Sequence, residues 1–216
     1  RDAANGTSDR HDKLIGQFKE AKARNIVLLG VGVNGFRQLT NSVREIRSPD
    51  DMKGIKFRVA GTDLFLETFK SLGANPLTMN FGEVFTMLQE GAIDGQENPL
   101  AIISTSHLYE VRKHLTLWNY AFDPIFLVAN GSFWASLPAE DRKTLRECAV
   151  EAMKHQWDYS EKLEQDLLEQ LAAKGMKVVK LSPAEVAKFR QTAQPAYDLL
   201  EKKLGAELVA RFQGLQ

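Results

Sequence analysis

The sequence predicts an α/β protein with mainly parallel sheets. Short runs of β-branched and aromatic residues alternate with segments of helical period through most of the chain, which is the order expected of strands connected by helical crossovers. Several helical segments are closed by a glycine, as at Gly73, Gly91 and Gly175. One helical pattern, from Pro138 to Ala173, would be about 50 Å long at ~1.5 Å per residue, more than one small lobe needs. A helix of that length bridges two lobes or packs on a partner.

The elements follow in order. Ser8 to Ala23 has Leu14, Ile15, Phe18 and Ala21 on one side and reads as a short amphipathic helix. Ile26-Val27-Leu28-Leu29 runs without alternation and reads as a buried strand. A second strand is expected over Gly54 to Val59, after the turn-rich Ser48-Pro49-Asp50-Asp51. Thr62 can cap a helix carrying Leu64, Phe65, Phe69 and Leu72. Pro76 to Met79 is expected to be extended, Gly82 to Glu90 helical, and Ala92 to Gly95 a short strand that leads into Gln96-Glu97-Asn98-Pro99. Strands over Leu115 to Tyr120 and Pro124 to Asn130 precede the long helix. Val178-Val179 marks another strand. Ser182-Pro183-Ala184-Glu185 has the form of a capping box with proline in the first turn, opening one final helix through Leu200.

Bulk properties exclude several classes. The 216 residues carry 28 Lys+Arg and 28 Asp+Glu, so there is no basic excess of the kind a nucleic-acid partner attracts. No apolar run approaches the roughly 20 residues that span a bilayer. The single cysteine, Cys148, can form neither an intrachain disulfide nor a cysteine-based metal cluster. The chain opens at Arg1 rather than Met, as a processed or trimmed product would.

The sharpest local motif is Gly30-Val31-Gly32-Val33-Asn34-Gly35, a G-x-G-x-x-G run directly after a predicted strand. Phe36, Leu39, Val43 and Ile46 follow at helix-like spacing, and Asp50 and Asp51 lie near the distance at which a ribose hydroxyl is read. That is the pattern of a dinucleotide loop. Against it, Gln38, Thr40, Asn41 and Ser42 make a weak helix, and the acidic pair sits in a turn. A plain glycine-rich turn is the competing reading.

Three polar residues follow or end predicted strands: Arg37, Arg58 and Asn98. Open α/β sheets bind ligands at the carboxyl ends of their strands. In Lys56-Phe57-Arg58-Val59, Phe57 and Val59 share one side and Arg58 takes the other. A guanidinium there can grip a carboxylate with two charge-assisted hydrogen bonds; an internal salt bridge is the structural alternative. Asn98 can donate to the same carboxylate or cap a helix ahead of Pro99. Phe81, before a short helix, fits an apolar wall beside a ligand or a place in the core. Trp118 and Tyr120 share a face and divide between the same two roles. Catalytic sets are thin: His107 and His114 are too far apart for a helical two-histidine metal site, and Asn130-Gly131-Ser132-Phe133 lacks the glycines of a nucleophile elbow.

Taken together, these motifs resemble a known family. Asn34-Gly35-Phe36-Arg37-Gln38-Leu39-Thr40-Asn41, Asp51-Met52-Lys53-Gly54-Ile55-Lys56-Phe57-Arg58-Val59, Phe81-Gly82-Glu83-Val84-Phe85 and above all Gly91-Ala92-Ile93-Asp94-Gly95-Gln96-Glu97-Asn98-Pro99 resemble the DctP-type substrate-binding proteins of tripartite ATP-independent periplasmic (TRAP) transporters. The likeness runs from about Ile26 onward. It implies a two-lobed, type II periplasmic-binding-protein-like fold with a long interlobe helix. Lobe I would take residues 1–34 and 124–163, and lobe II residues 35–123 and 164–216. It implies a periplasmic protein that passes a small organic acid to membrane permease subunits, needs no cofactor and catalyses nothing. Arg58 would hold the ligand carboxylate, with Asn98, Arg37 and Phe81 in supporting places and Trp118 as a further lining candidate. Family members also carry an additional βαβ segment at the amino end, which this sequence does not contain.

The rival reading is a nucleotide-dependent oxidoreductase using Gly30, Gly32 and Gly35. The binding-protein reading expects a rise in melting temperature with an organic acid and none with NAD. A rise with NAD alone, measured by thermal shift, would reverse the choice.

Overall fold

The computed structural model describes residues 24–213. The predicted helix over Ser8 to Ala23 lies outside them. In chain order the elements are β1 (Ile26–Asn41), β2 (Lys56–Val59), α1 (Asp63–Ser71), β3 (Asn75–Thr78), α2 (Val84–Gln89), β4 (Gly95–Pro99), α3 (Leu100–Thr105), β5 (His114–Leu117), β6 (Phe122–Asn130), α4 (Gly131–Ser136), α5 (Ala139–Ala173), β7 (Lys177–Lys180), α6 (Pro183–Thr192), α7 (Gln194–Leu204) and α8 (Ala206–Gln213). Single 3-10 turns lie at Pro49–Met52, Phe81–Glu83 and Leu108–Glu110. The chain divides into two compact units. One takes the chain up to Gly35 together with Phe122–Asp166, the other Phe36–Ala121 with Leu167–Gln216.

In the first unit, β6 pairs with β1 and α5 packs on β1. The glycine run explains that packing. A Cβ on Gly30 would sit 2.6 Å from Met153 Cγ, and one on Gly32 would sit 2.4 Å from Gln156 Oε1. Their bare backbone admits the helix, and the Gln156 amide then bonds both sides of Val33: Val33 N–H donates to Oε1 at 2.9 Å and Nε2 donates to Val33 O at 2.6 Å. No phosphate-binding loop forms. Residues 30–35 lie inside a 16-residue strand, and the helix expected after Gly35 is strand through Asn41. The nucleotide reading fails on this geometry, because a dinucleotide phosphate needs a glycine turn opening onto a helix N-terminus.

The second unit is a sheet ordered β3-β2-β4-β1-β5-β7. It is mixed, not mainly parallel as predicted: β2 runs parallel to β3 and β4, and β5 to β7, but β1 is antiparallel to β4 and β5. Strand β4 is the Gly-Gln-Glu-Asn-Pro run itself, where the sequence pointed to the residues just before it. The final predicted helix is three helices, interrupted at Ala193 and at Gly205 (φ 89°). The predicted caps form: Thr62 Oγ1 accepts from Phe65 N–H, and the Ser182–Glu185 capping box closes with Pro183 in the first turn. One face of the sheet carries Leu39, Phe57 and Val59 into a core with Ile46, Phe69, Leu72, Trp118 and Phe189.

Gly95 is required by this packing. A Cβ there would lie 2.3 Å from the Phe57 ring and 2.5 Å from Thr40 O, and the backbone carbonyl cannot yield. Gly95→Ala is expected to destabilise the protein by about 2 kcal/mol or more. Gly61→Ala, with open space around it, should change stability by less than about 0.5 kcal/mol. Urea unfolding of the two variants checks both values.

Candidate ligand-binding site

Register places the site residues. Arg58 pairs with Gln96 across β2 and β4, and Gln38 with Asn98 and Thr40 with Gln96 across β1 and β4. Because side chains alternate along strands, Arg58, Gln96, Asn98, Gln38 and Thr40 share one face, opposite the core face of Phe57, Val59 and Leu39. The polar run Gln96-Glu97-Asn98 is 0%, 0% and 6% exposed, so each group needs a partner inside the protein.

Glu97 finds four donors. Arg37 meets its carboxylate through both Nε and Nη2, the latter at 3.1 Å. Tyr120 Oη donates at 2.6 Å and Ala60 N–H at 3.2 Å. Arg37, 6% exposed, is therefore held by an internal acid. Its Nη2 also donates to Asn98 Oδ1 at 3.1 Å, Asn98 Nδ2 donates to Gln96 Oε1 at 2.5 Å, and Gln96 Nε2 donates to Thr40 Oγ1 at 2.9 Å. Asn98 lies in the strand and caps no helix; Pro99 takes the N-cap of α3 without a side-chain bond.

Arg58 is also buried, at 7% exposure, and its setting differs. Nη2 donates to Met79 O at 3.1 Å, while Nε is buried without a hydrogen-bond partner among the described residues. It makes no ion pair there. Its guanidinium lies 5.6 Å from the centre of the Phe81 ring, within cation–π range, and Phe81 is 40% exposed. Desolvation holds the Arg58 pKa below its ordinary value; Glu97 opposes that shift and Arg37 adds to it. Among the described residues Glu97 pairs with Arg37 and reaches Arg58 only through its electrostatic field.

Trp118 stands elsewhere. It is 5% exposed in the core cluster, tilted against Tyr120 at 4.4 Å and edge-on to Phe69 at 5.9 Å and Phe189 at 5.3 Å. Its ring packs the core beneath the sheet. Sequence reasoning missed Gln38 and Arg112. Gln38 Oε1 accepts from Trp118 N–H at 3.0 Å while its Nε2 donates to Asn119 Oδ1 at 2.5 Å, holding the chain where Asn119 takes φ 50°. Arg112 caps the end of α2 at Leu88 O and holds Asp94 O at 2.6 Å; burial lowers its pKa to about 10. Gln38 stands in the Gly35-Phe36-Arg37-Gln38 run, but only the fold gives it these partners, and Arg112 had no motif to announce it. Among the described residues no group of His, Cys, Asp and Glu is placed to hold a metal ion, and no helix is long and apolar enough to cross a membrane.

Comparison with known proteins decides the family. The model for the bacterial extracellular solute-binding proteins, family 7 (DctP), matches residues 8–203. The chain belongs to this family. It is 32% identical over 183 residues to a solute-binding protein of Verminephrobacter eiseniae, covering 85% of this chain and 54% of that protein. It superposes with a TM-score of 0.87 and 38% identity on a TRAP periplasmic solute-binding protein from Ralstonia eutropha with bound (S)-2-acetolactate, over 93% of this chain and 66% of that one. A counterpart from Shewanella oneidensis with bound succinate gives a TM-score of 0.85 and 32% identity, over 92% and 64% of the two chains. The fold is that of the TRAP solute-binding proteins. The chain spans somewhat more than half the length of the curated relatives it matches.

Tyr120 yields a pH test. Burial, then the Glu97 charge, pushes its hydroxyl pKa well above the ordinary 10.0. A raised folded-state pKa stabilises the protein fully below the unfolded value, and that contribution is lost as pH rises beyond it. Stability should therefore decline above about pH 10, and more steeply in the unsubstituted protein than in Tyr120→Phe. Parallel declines in urea unfolding across that range would refute the shift.

Proposed function

We propose that the protein is a periplasmic solute-binding protein that captures a small organic carboxylate and delivers it to a TRAP-type membrane permease, without catalysing a reaction. The single observation that carries this reading is Arg58: a buried guanidinium with an unpartnered Nε and no ion pair among the described residues, beside a half-exposed aromatic ring. Burying a cation without a counter-ion is costly, and a ligand carboxylate repays that cost with charge-assisted hydrogen bonds.

Each remaining residue then has a part. Asn98 offers its amide to a ligand oxygen, and Phe81 covers the apolar portion of the ligand. Arg37, tied to Glu97, supports Asn98, and Trp118 packs the core behind the site. The bound molecules named for the two solved relatives, 2-acetolactate and succinate, are compact carboxylates rich in oxygen acceptors. That chemistry fits one guanidinium assisted by amides, and it places keto and hydroxy acids with C4-dicarboxylates at the head of the classes to test.

Arg58→Ala should lower affinity for the cognate acid at least tenfold, since a charge-assisted hydrogen bond contributes about 1.5–3 kcal/mol. Arg58→Lys should recover part of it, because an ammonium keeps the charge but not the two-pronged geometry. Calorimetric titration with succinate and (S)-2-acetolactate, after a thermal-shift screen of organic acids, makes the measurement. Unchanged affinity in Arg58→Ala would remove Arg58 as the anchor.

A further inference from the structure

We infer that Tyr120, acting through Glu97 and Arg37, is a positioning residue that fixes which edge of the Asn98 amide faces the ligand, so that the site selects an oxygen acceptor at that point. This rests on the carboxylate-binding reading above and adds to it a specificity device outside the ligand contacts.

The orientation follows from donor and acceptor chemistry. A guanidinium can only donate, so the atom of Asn98 that meets Arg37 Nη2 must be Oδ1. On the other side, Asn98 Nδ2 donates to Gln96 Oε1, and Gln96 Nε2 donates to Thr40 Oγ1, whose hydroxyl can accept. Arg37 dictates the rotamer of the Asn98 amide, and Gln96 accommodates it. One Nδ2 proton goes to Gln96, and among the described hydrogen bonds the second is uncommitted. A ligand atom facing it must accept, as a carboxylate, hydroxyl or carbonyl oxygen does, and an ammonium or amide nitrogen there meets donor with donor.

The orientation is only as firm as Arg37, and Arg37 is held by Glu97. Tyr120 Oη and Ala60 N–H take further lone pairs of that carboxylate and set where it sits. The Tyr120 ring is fixed in turn by Trp118, Phe69 and Phe65, at centroid distances of 4.4, 5.8 and 6.0 Å. The raised pKa of the Tyr120 hydroxyl keeps it a donor across the physiological range. Loss of the hydroxyl leaves a buried carboxylate oxygen short of a donor, and the Arg37 side chain can then follow the shifted charge away from Asn98.

A double-mutant cycle on the full chain tests this, read by calorimetric titration with whichever of succinate and (S)-2-acetolactate binds the unsubstituted protein. Tyr120→Phe is expected to weaken binding roughly three- to tenfold, and to have no further effect when added to Asn98→Ala, because its influence passes through that amide. Losses that simply multiply, or a Tyr120→Phe protein with full affinity, would overturn the inference. General loosening of the fold would multiply in this way, so the non-additivity separates positioning from mere stability. If Tyr120→Phe does not fold, Glu97→Gln enters the same cycle with the same expectation. If the unsubstituted protein bound neither acid nor any other organic carboxylate, the proposed function itself would fail, a result distinct from an additive cycle.

Discussion

The site is organised by one buried carboxylate. Glu97 is fully enclosed, and an ionised carboxyl group in such a place is stable only if its charge and lone pairs are met. Arg37, Tyr120 and Ala60 meet them. In doing so they commit one of the two arginines of the candidate site to the interior and give it a second bond, to Asn98. The other arginine, Arg58, lies on the opposite face of the next strand with no acid of its own among the described residues. The difference between the two guanidiniums is therefore a matter of sheet register: Arg37 stands on the face of Glu97 and pairs with it, and Arg58 stands on the other face without an ion pair among the described residues.

The same sheet explains why so polar a strand can be buried. Strand β4 carries glutamine, glutamate and asparagine in succession, a composition that would ordinarily mark a surface loop. Thr40, Gln96, Asn98 and Arg37 form one continuous chain of hydrogen bonds, in which Gln96 bonds its register partner Thr40 and Asn98 bonds Gln96 of its own strand and Arg37. Such a network holds its members in a defined arrangement. Gly95 closes the strand against Phe57, where no side chain fits.

Two motifs in the sequence turned on contacts that lie far away along the chain. The Gly30, Gly32 and Gly35 spacing is that of a phosphate loop, but two of its glycines serve a close approach of Met153 and Gln156 from a helix more than 100 residues later. Nothing local separates a glycine that lets a phosphate in from one that lets a helix in. Trp118 is similar. Its strand-like neighbourhood suited a pocket wall, and the aromatic cluster of Phe69, Tyr120 and Phe189, drawn from three separate stretches, puts it in the core.

Local chemistry in the sequence was enough for the helix caps at Thr62 and Ser182, the long helix over 139–173, the strand under Phe57 and Arg58, and the resemblance that led to the family. Those features depend on neighbours within a few residues, or on a motif read as a string. Tertiary structure alone decided the antiparallel setting of β1, the break of the last helix into three, the roles of Gln38 and Arg112, and the separation of Arg37 from Arg58. These turn on which strands lie side by side and which face of each is covered. A guanidinium has the same composition whether or not an acid stands beside it, and only the folded chain supplies the acid.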